Sequence, residues 1–244
     1  MDMTGDRRVR IDDEVVRYLL KRSRRRKKTV GIRVSEGVIE VSAPARTAIK
    51  EIEEILRKRR RWILDRLEDA SQLPPPCRLI TGESLPFMGR DLTLLVEQTD
   101  DRRASVTSDG EKLSVLVPAE IAAEDRREQI KTAVARWYRH ELEGYLQLRV
   151  AKWLPAFQRT ETPKVLVRDQ RSRWGSCSSD GTLRFSWRLA MLEPELIDSV
   201  VVHELAHLEV MNHSAAFWEV VIKVMPDAKE RRKRLNEAGR RLPF

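Results

Sequence analysis

Histidine is rare in this chain of 244 residues, yet three of its four histidines fall close together. The stretch VVHELAHLEVMNHSAAFW (201–218) contains His203, His207 and His213, and Glu204 directly follows the first of them. Residues four apart on an α-helix are offset by only about 40° around the axis, so His203 and His207 project side by side. Two such imidazoles can bind one cation, and imidazole ligation favours zinc. The spacing therefore predicts a metal site.

Glu204 lies on the flank of this pair, where it can act as a general base rather than as a ligand. A zinc ion with an open coordination position polarises a carbonyl and lowers the pKa of bound water towards about 7. Glu204 would take the proton of this water and pass it to a leaving amine. The motif thus predicts metal-assisted amide hydrolysis. The alternative is a pair of histidines at a helix surface, which the apolar run VVV (200–202) and the third histidine disfavour.

The third metal ligand requires a turn in the chain. A straight helix would carry His213 about 9 Å beyond His207 and off its face. Asn212 tolerates the left-handed conformation that ends many helices, and Ser214 can cap a new one, so we predict a break at about 210–213. This break would bring His213 back to the metal.

Two observations bear on the choice of this ligand. Val210 occupies the position of glycine in the pattern H-E-x-x-H-x-x-G-x-x-H, which argues against that class of metalloprotease but keeps the ligand set. A downstream carboxylate, Glu219 or Glu230, is the alternative third ligand. His140, the fourth histidine, is expected to have an ordinary surface or packing role.

The elements that position these residues predict an α+β fold. Region 1–118 is expected to be β-rich, and region 119–244 to be a metallopeptidase domain with its metal-binding helix packed on a small antiparallel sheet. Within the first region the patterns predict three strands (14–20, 28–34, 37–44), a tight turn (36–38), an amphipathic helix (47–70) with Trp62 on or beside its buried stripe, a connector LPPPC (73–77) and a second, antiparallel sheet (90–98, 104–108, 112–118). The second region is expected to contain a long helix (123–154), a strand (164–169), a hairpin (171–189) and the helix that begins at Pro194.

The predicted hairpin has two interpretations. Arg173, Trp174, Gly175 and Ser176 would form an edge strand to which an extended peptide substrate adds. Alternatively, Trp174 packs in the core and Gly175 serves a bulge. Cys177 is expected to be a small buried side chain.

The composition of the chain indicates which partners and which cellular location to expect. The net charge of +9 is concentrated in runs at 21–28, 57–61 and 229–234, which are typical either of solvated faces or of nucleic-acid contact. No apolar run approaches the roughly 20 residues that span a bilayer, and the N-terminus lacks the apolar segment of a signal peptide. With only two cysteines, far apart, we expect a soluble, cytoplasmic protein without a membrane partner.

Three segments carry a resemblance to a known family. RSRWGSCSSDG, IDSVVVHELAHL and NHSAAFW resemble the YgjP-like metallopeptidases, which are related to SprT-like zincins. The resemblance implies a minigluzincin-like α/β core in which the hairpin flanks the active-site helix, with one Zn²⁺ on His203, His207 and His213 and with Glu204 catalytic. Family members often have Tyr where this chain has Ser199.

Two other functions remain open from the sequence. One is a nucleic-acid-associated protein of the SprT-like kind that acts on DNA-bound proteins. Alternatively, the metal would only stabilise a non-catalytic scaffold.

Overall fold

The computed structural model describes residues 4–12, 14–35, 37–71 and 77–244. The chain divides into two compact units, Met1–Pro75 and Pro76–Phe244. Residues 77–118, which the sequence analysis grouped with the first region, belong to the second unit and share its hydrophobic core. Four residues of the predicted connector LPPPC, and Glu36 of the predicted tight turn, lie outside the described residues.

The first unit contains a four-stranded mixed sheet. Its strands are β1 (Thr4–Ile11), β2 (Glu14–Ser23), β3 (Gly31–Ser35) and β4 (Val38–Pro44), in the order β1-β2-β4-β3. β2 and β4 are parallel, and the two outer pairs are antiparallel. Strands β2, β3 and β4 were predicted, whereas β1 was missed, because half of its eight residues are charged.

Two short helices, α1 (Ile49–Lys58) and α2 (Arg60–Ser71), replace the single predicted helix of this unit. The backbone departs from helical geometry at Arg59, with φ −100° and ψ 15°. Ile63 is fully buried with the strands, but the neighbouring Trp62 is 38% exposed. Trp62 therefore lies beside the buried stripe, one of the two positions predicted for it, and Ile63 takes the inward position after the break.

The second unit begins with another four-stranded sheet. It consists of β5 (Ser84–Phe87), β6 (Arg90–Thr99), β7 (Ser105–Ser108) and β8 (Lys112–Pro118), in the order β5-β6-β8-β7. The prediction of an antiparallel sheet is wrong for the central pair, since β6 and β8 are parallel. The hairpin that joins β7 to β8 places β7 at the edge, and this leaves β8 to pair directly with β6.

The long helix α3 (Ala123–Trp153) packs within the same unit. Its buried residues recur at helical spacing: Ile130, Val134, Tyr138, Leu142, Leu146 and Val150. The Tyr138 hydroxyl donates a hydrogen bond of 2.7 Å to the carbonyl oxygen of Pro86, which fixes the helix to β5. A short 3-10 turn (Leu154–Phe157) follows, so Pro155 marks the end of α3 as predicted.

A third sheet lies beside the remaining helices. Strands β9 (Val165–Arg168), β10 (Gly175–Cys177) and β11 (Leu183–Ser186) are arranged in the order β10-β11-β9, followed by α4 (Pro194–Ala206), α5 (Ala215–Val224) and α6 (Ala228–Arg240). β10 and β11 form the predicted antiparallel hairpin, whereas β9 is parallel to β11, so the sheet is mixed. The α+β fold class is confirmed. No helix in the described part of the chain is long and apolar enough to cross a membrane.

Candidate metal and catalytic site

Helix α4 carries His203, and His207 follows as its C-cap residue, with helical backbone angles. Pro194 occupies its first turn, as predicted, and the helix continues through a buried apolar segment that includes Val200, Val201 and Val202. An ion pair connects it to α3, because Arg149 Nε donates a hydrogen bond of 2.5 Å to Asp198 Oδ1 and Arg149 Nη2 contacts the second carboxylate oxygen. The ion pair thus fixes the backbone of α4 to α3.

The end of α4 differs from the sequence prediction. The helix ends at Ala206 rather than at 210–213, and the amides of Leu208 and Glu209 close a turn on the carbonyls of Leu205 and Ala206. Asn212 has no left-handed conformation, so that part of the prediction is wrong.

The side chain of Asn212 shapes the connection to the next helix instead. Asn212 Oδ1 accepts a hydrogen bond of 3.1 Å from the amide of Ser214, which occupies the N-cap position of α5 as predicted. A short turn is sufficient because α4 stops early. The chain therefore reverses within a few residues.

This reversal brings the three imidazoles together. The Nε2 atoms of His203 and His213 are 3.0 Å apart, and each of the three histidines offers a ring nitrogen within 4.8 Å of the others. The ring centroids are 4.7 to 5.0 Å apart. Three imidazole nitrogens that converge on one point form a donor set suited to a divalent metal. The residues present therefore fit a catalytic metal.

Burial keeps two of these histidines neutral. Desolvation is the main cause that lowers the pKa of His203, to about 3, and the neighbouring His207 and His213 lower it further. Burial likewise lowers the pKa of His207. Because a metal binds the neutral imidazole, both histidines are ready to act as ligands at neutral pH.

Neighbouring groups orient the rings. His207 Nδ1 donates to the carbonyl oxygen of Val210 at 3.0 Å, an arrangement that leaves its Nε2 available to a metal. Fully buried Phe217 stacks on His207 with centroids 4.4 Å apart and meets His203 edge-on at 4.9 Å. The ring centroid of Trp218 lies 5.9 Å from that of His203. No pattern in the sequence indicated this role of Phe217 and Trp218, which follows only from the reversal of the chain.

Glu204 lies buried beside the three histidines. It is 4% exposed, and its Oε2 atom has no hydrogen-bond partner in the structure. Burial raises its pKa to about 8, and the positive charge of Arg173 opposes this rise. An unpaired buried carboxylate oxygen is costly, and a site that binds water or a polar substrate supplies the partner that it needs.

The four hairpin residues border the same cleft. Arg173, Trp174, Gly175 and Ser176 line a space of about 520 Å³ together with Glu204 and the three histidines. Gly175 pairs regularly with Phe185, so it does not serve a bulge. Trp174 is partly buried against Gly239 of α6. Cys177 is also only partly buried, and it lines the cleft.

Glu219 and Glu230, the alternative third ligands, and His140 lie outside the group that the three histidines form. Within the described residues, the grouping of potential metal ligands around this centre consists of the three histidines and includes neither Glu219 nor Glu230. His140 is exposed on α3. Arg232, Leu235 and Asn236 of α6 line the cleft, and no pattern in the sequence had indicated this position for them.

Comparison with known proteins gives the class of this protein. A family model described as YgjP-like, metallopeptidase domain, matches residues 28–238. The protein is therefore a metallopeptidase by family, a class that acts on peptides or proteins and uses a catalytic metal. The chain belongs to the YgjP-like family, as its sequence segments indicated. No curated protein matches it.

Two solved structures are similar to part of the chain. The crystal structure of the metallopeptidase zymogen of Pyrococcus abyssi abylysin is 27% identical, with a TM-score of 0.37, over 41% of this chain and 99% of that one. The corresponding zymogen of Methanocaldococcus jannaschii jannalysin is 18% identical, with a TM-score of 0.35, over 38% of this chain and 95% of that one.

Proposed function

We propose that this protein is a zinc-dependent peptidase in which His203, His207 and His213 hold one Zn²⁺ and Glu204 is the general base. The observation that carries the proposal is the convergence of three imidazoles beside a buried carboxylate with an unpaired oxygen. Imidazole donors favour zinc over the harder cations, which prefer oxygen ligands. When bound, zinc supplies Lewis acidity that polarises the scissile carbonyl and makes water a stronger acid.

The residues of the chain then divide the work of hydrolysis. The raised pKa of Glu204 would leave it protonated near neutral pH, and the positive charge of a bound Zn²⁺ would favour its ionised form. In that form Glu204 takes a proton from the attacking water and passes it to the leaving amine, so that the broken C–N bond ends in a carboxylic acid and a neutral amine. The low exposure of Glu204 excludes bulk water from this transfer. Gly175 presents only a hydrogen atom to the Glu204 side chain and so permits its position.

The free edge of β10 provides a place for the substrate backbone. The carbonyl oxygen of Trp174 accepts a hydrogen bond from the amide of Ser186, and the amide of Ser178 donates one to the carbonyl oxygen of Thr182. Because such bonds alternate along an antiparallel pair, the backbone groups of Ser176, midway between Trp174 and Ser178, also face β11. The amide and carbonyl groups of Gly175 and Cys177 consequently face the unpaired side of β10. An extended peptide can add there as a further strand, within the cleft that contains Glu204.

A Glu204→Gln variant tests the assigned base. We expect it to keep zinc and its fold but to lose peptide cleavage, measured with a mixed peptide library against wild type. Cleavage at the wild-type rate would contradict the role of Glu204. Zinc that is needed for folding, in a wild-type protein that cleaves nothing, would favour the non-catalytic scaffold instead.

A second candidate function, nucleic-acid binding, has one specific observation in its favour. The loop between β2 and β3 exposes five consecutive basic side chains, Arg24 to Lys28. Such a cluster attracts a phosphate backbone, with an affinity that falls as salt rises. Binding of single-stranded or duplex DNA at low salt, lost when these five residues become Gln, would support this function. Unchanged binding by that variant, or no binding by wild type, would remove it.

A further inference from the structure

Helix α6 forms one wall of the catalytic cleft. Ala228, Arg232, Leu235 and Asn236 line the cleft, and Gly239 lies against Trp174 of the hairpin. These positions are spaced by three or four residues, so they share one face of the helix. Because Leu235 and Ala228 are apolar, Arg232 is the cation that this face presents to the cleft.

The other arginines in the middle of α6 already have carboxylate partners. Arg231 Nε donates to Asp227 at 2.7 Å, and Arg234 Nη2 donates to Glu195 at 2.8 Å and contacts Glu193. Arg232, in contrast, has no carboxylate partner among the residues that the structure describes. Its guanidinium lies over the ring of Trp218, with 5.1 Å to the centroid. This contact leaves the N–H edge of the guanidinium available for another group.

Among the described residues, the charged side chains that line the cleft are positive, except for the proposed base Glu204. Arg173 and Arg232 both line it, and Glu204 is its one acidic lining residue among those described. Arg173 lies at the hairpin side and Arg232 at the α6 side, so both walls carry a positive charge. A guanidinium binds a carboxylate through two parallel hydrogen bonds, and a peptide offers carboxylates as acidic side chains and as its free C-terminus.

We propose that Arg232 is a specificity-determining residue that binds a carboxylate of the peptide substrate, with Arg173 adding to the attraction. This inference rests on the proposed peptidase function. The carboxylate comes either from an Asp or Glu side chain or from the substrate's own C-terminus, and both sources offer the same chemistry to the guanidinium.

A set of matched octapeptides separates these sources. One Glu is moved through each position of a fluorescein-labelled, alanine-rich octapeptide, with Gln counterparts, and every peptide is made as a free acid and as an amide. Dissociation constants for the full-length protein are measured by fluorescence anisotropy, and kcat/KM is measured in parallel. We expect the preferred carboxylate to bind about tenfold more tightly than its neutral counterpart, as for a hydrogen bond to a charged group.

Variants on the same helix assign the preference. Arg232→Met and Arg232→Gln should abolish the difference between charged and neutral peptides, whereas Arg232→Lys should keep part of it. Lys233→Met is the matched control, since Lys233 is 80% exposed and lies near Glu237, at 4.0 Å. The control should retain the full preference. Thermal unfolding of each variant verifies that the substitutions act on binding and not on folding.

The outcomes keep the two proposals apart. Wild type that binds charged and neutral peptides equally at every position overturns the inference, as does a preference that survives in both Arg232→Met and Arg232→Gln. Efficient cleavage without any carboxylate preference overturns it while the peptidase function stands. A preference in binding that requires Arg232, in a protein that cleaves none of the peptides, supports the role of Arg232 in binding and counts against peptidase activity.

Discussion

Glu204 lies directly against Gly175. A Cβ atom added to Gly175 would be 2.6 Å from Glu204 Oε1 and 2.8 Å from Glu204 Cγ, closer than such atoms approach in proteins. The two residues come from different elements, β10 and α4. The hairpin therefore holds the proposed base in position by presenting a residue without a side chain.

This contact predicts that Gly175→Ala displaces the Glu204 carboxylate. We expect kcat/KM for peptide cleavage to fall about 100-fold, the loss that a misplacement near 1 Å can cause. Bound zinc should persist, because the substitution does not touch the histidines. Gly144→Ala is the control: its Cβ meets nothing within 4 Å, and within helix α3 it should raise stability by about 0.5–1 kcal/mol with full activity. Full activity in Gly175→Ala would show that Glu204 is not confined in this way.

Phe217 predicts a link between aromatic packing and metal affinity. Phe217→Leu should lower stability by about 0.5–3 kcal/mol and weaken zinc binding about tenfold, because it removes the ring that stacks on His207. Competition with a chromogenic chelator measures the affinity. Phe157→Leu removes another buried phenylalanine, one without a ring contact to the three histidines, and should lower stability alone. Equal zinc affinity in the two variants would refute the link.

The turn of the hairpin predicts a pH dependence of stability. Hydrogen bonds from Ser178 and then from Thr182 lower the pKa of Asp180 to about 2. The ordinary pKa of Asp in an unfolded chain is about 3.9. The ionised form thus stabilises the fold fully above this value, and the contribution is lost as pH falls towards the folded pKa.

Asp180→Asn tests this dependence. The variant should be less stable than wild type at pH 6, and the difference should shrink as pH falls below about 4. Urea unfolding between pH 6 and pH 2.5 measures both proteins. A difference that stays constant across this range would show that the charge of Asp180 does not contribute.

The local geometry of the candidate site follows from the sequence, whereas several of its contacts between distant segments show only in the structure. His203, Glu204 and His207 share one helical turn, so their spacing alone defines their geometry. The position where α4 ends was misjudged, because apolar residues continue beyond Ala206 and hide the turn. The contact of Gly175 with Glu204 joins residues far apart in the chain, and only the packing of the hairpin on α4 reveals it.

The fold, like the site, was predicted best where the pattern is local and less well where distant segments pair. The long periodic pattern of α3 gave its bounds almost to the residue, because one continuous face is buried. The pairing of β6 with β8 was missed, since alternation within a strand does not specify its neighbour. Strand β5 is only four residues long and contains Pro86, so its pattern is too short to be distinctive.

The most direct measurement is the zinc content of the protein purified without chelator, for wild type and for His213→Ala. If three imidazoles hold the metal, wild type contains one zinc per chain, and the variant loses most of it after dialysis while its helical content is retained. Zinc at the wild-type level in His213→Ala, or none in wild type, would contradict the three-histidine centre.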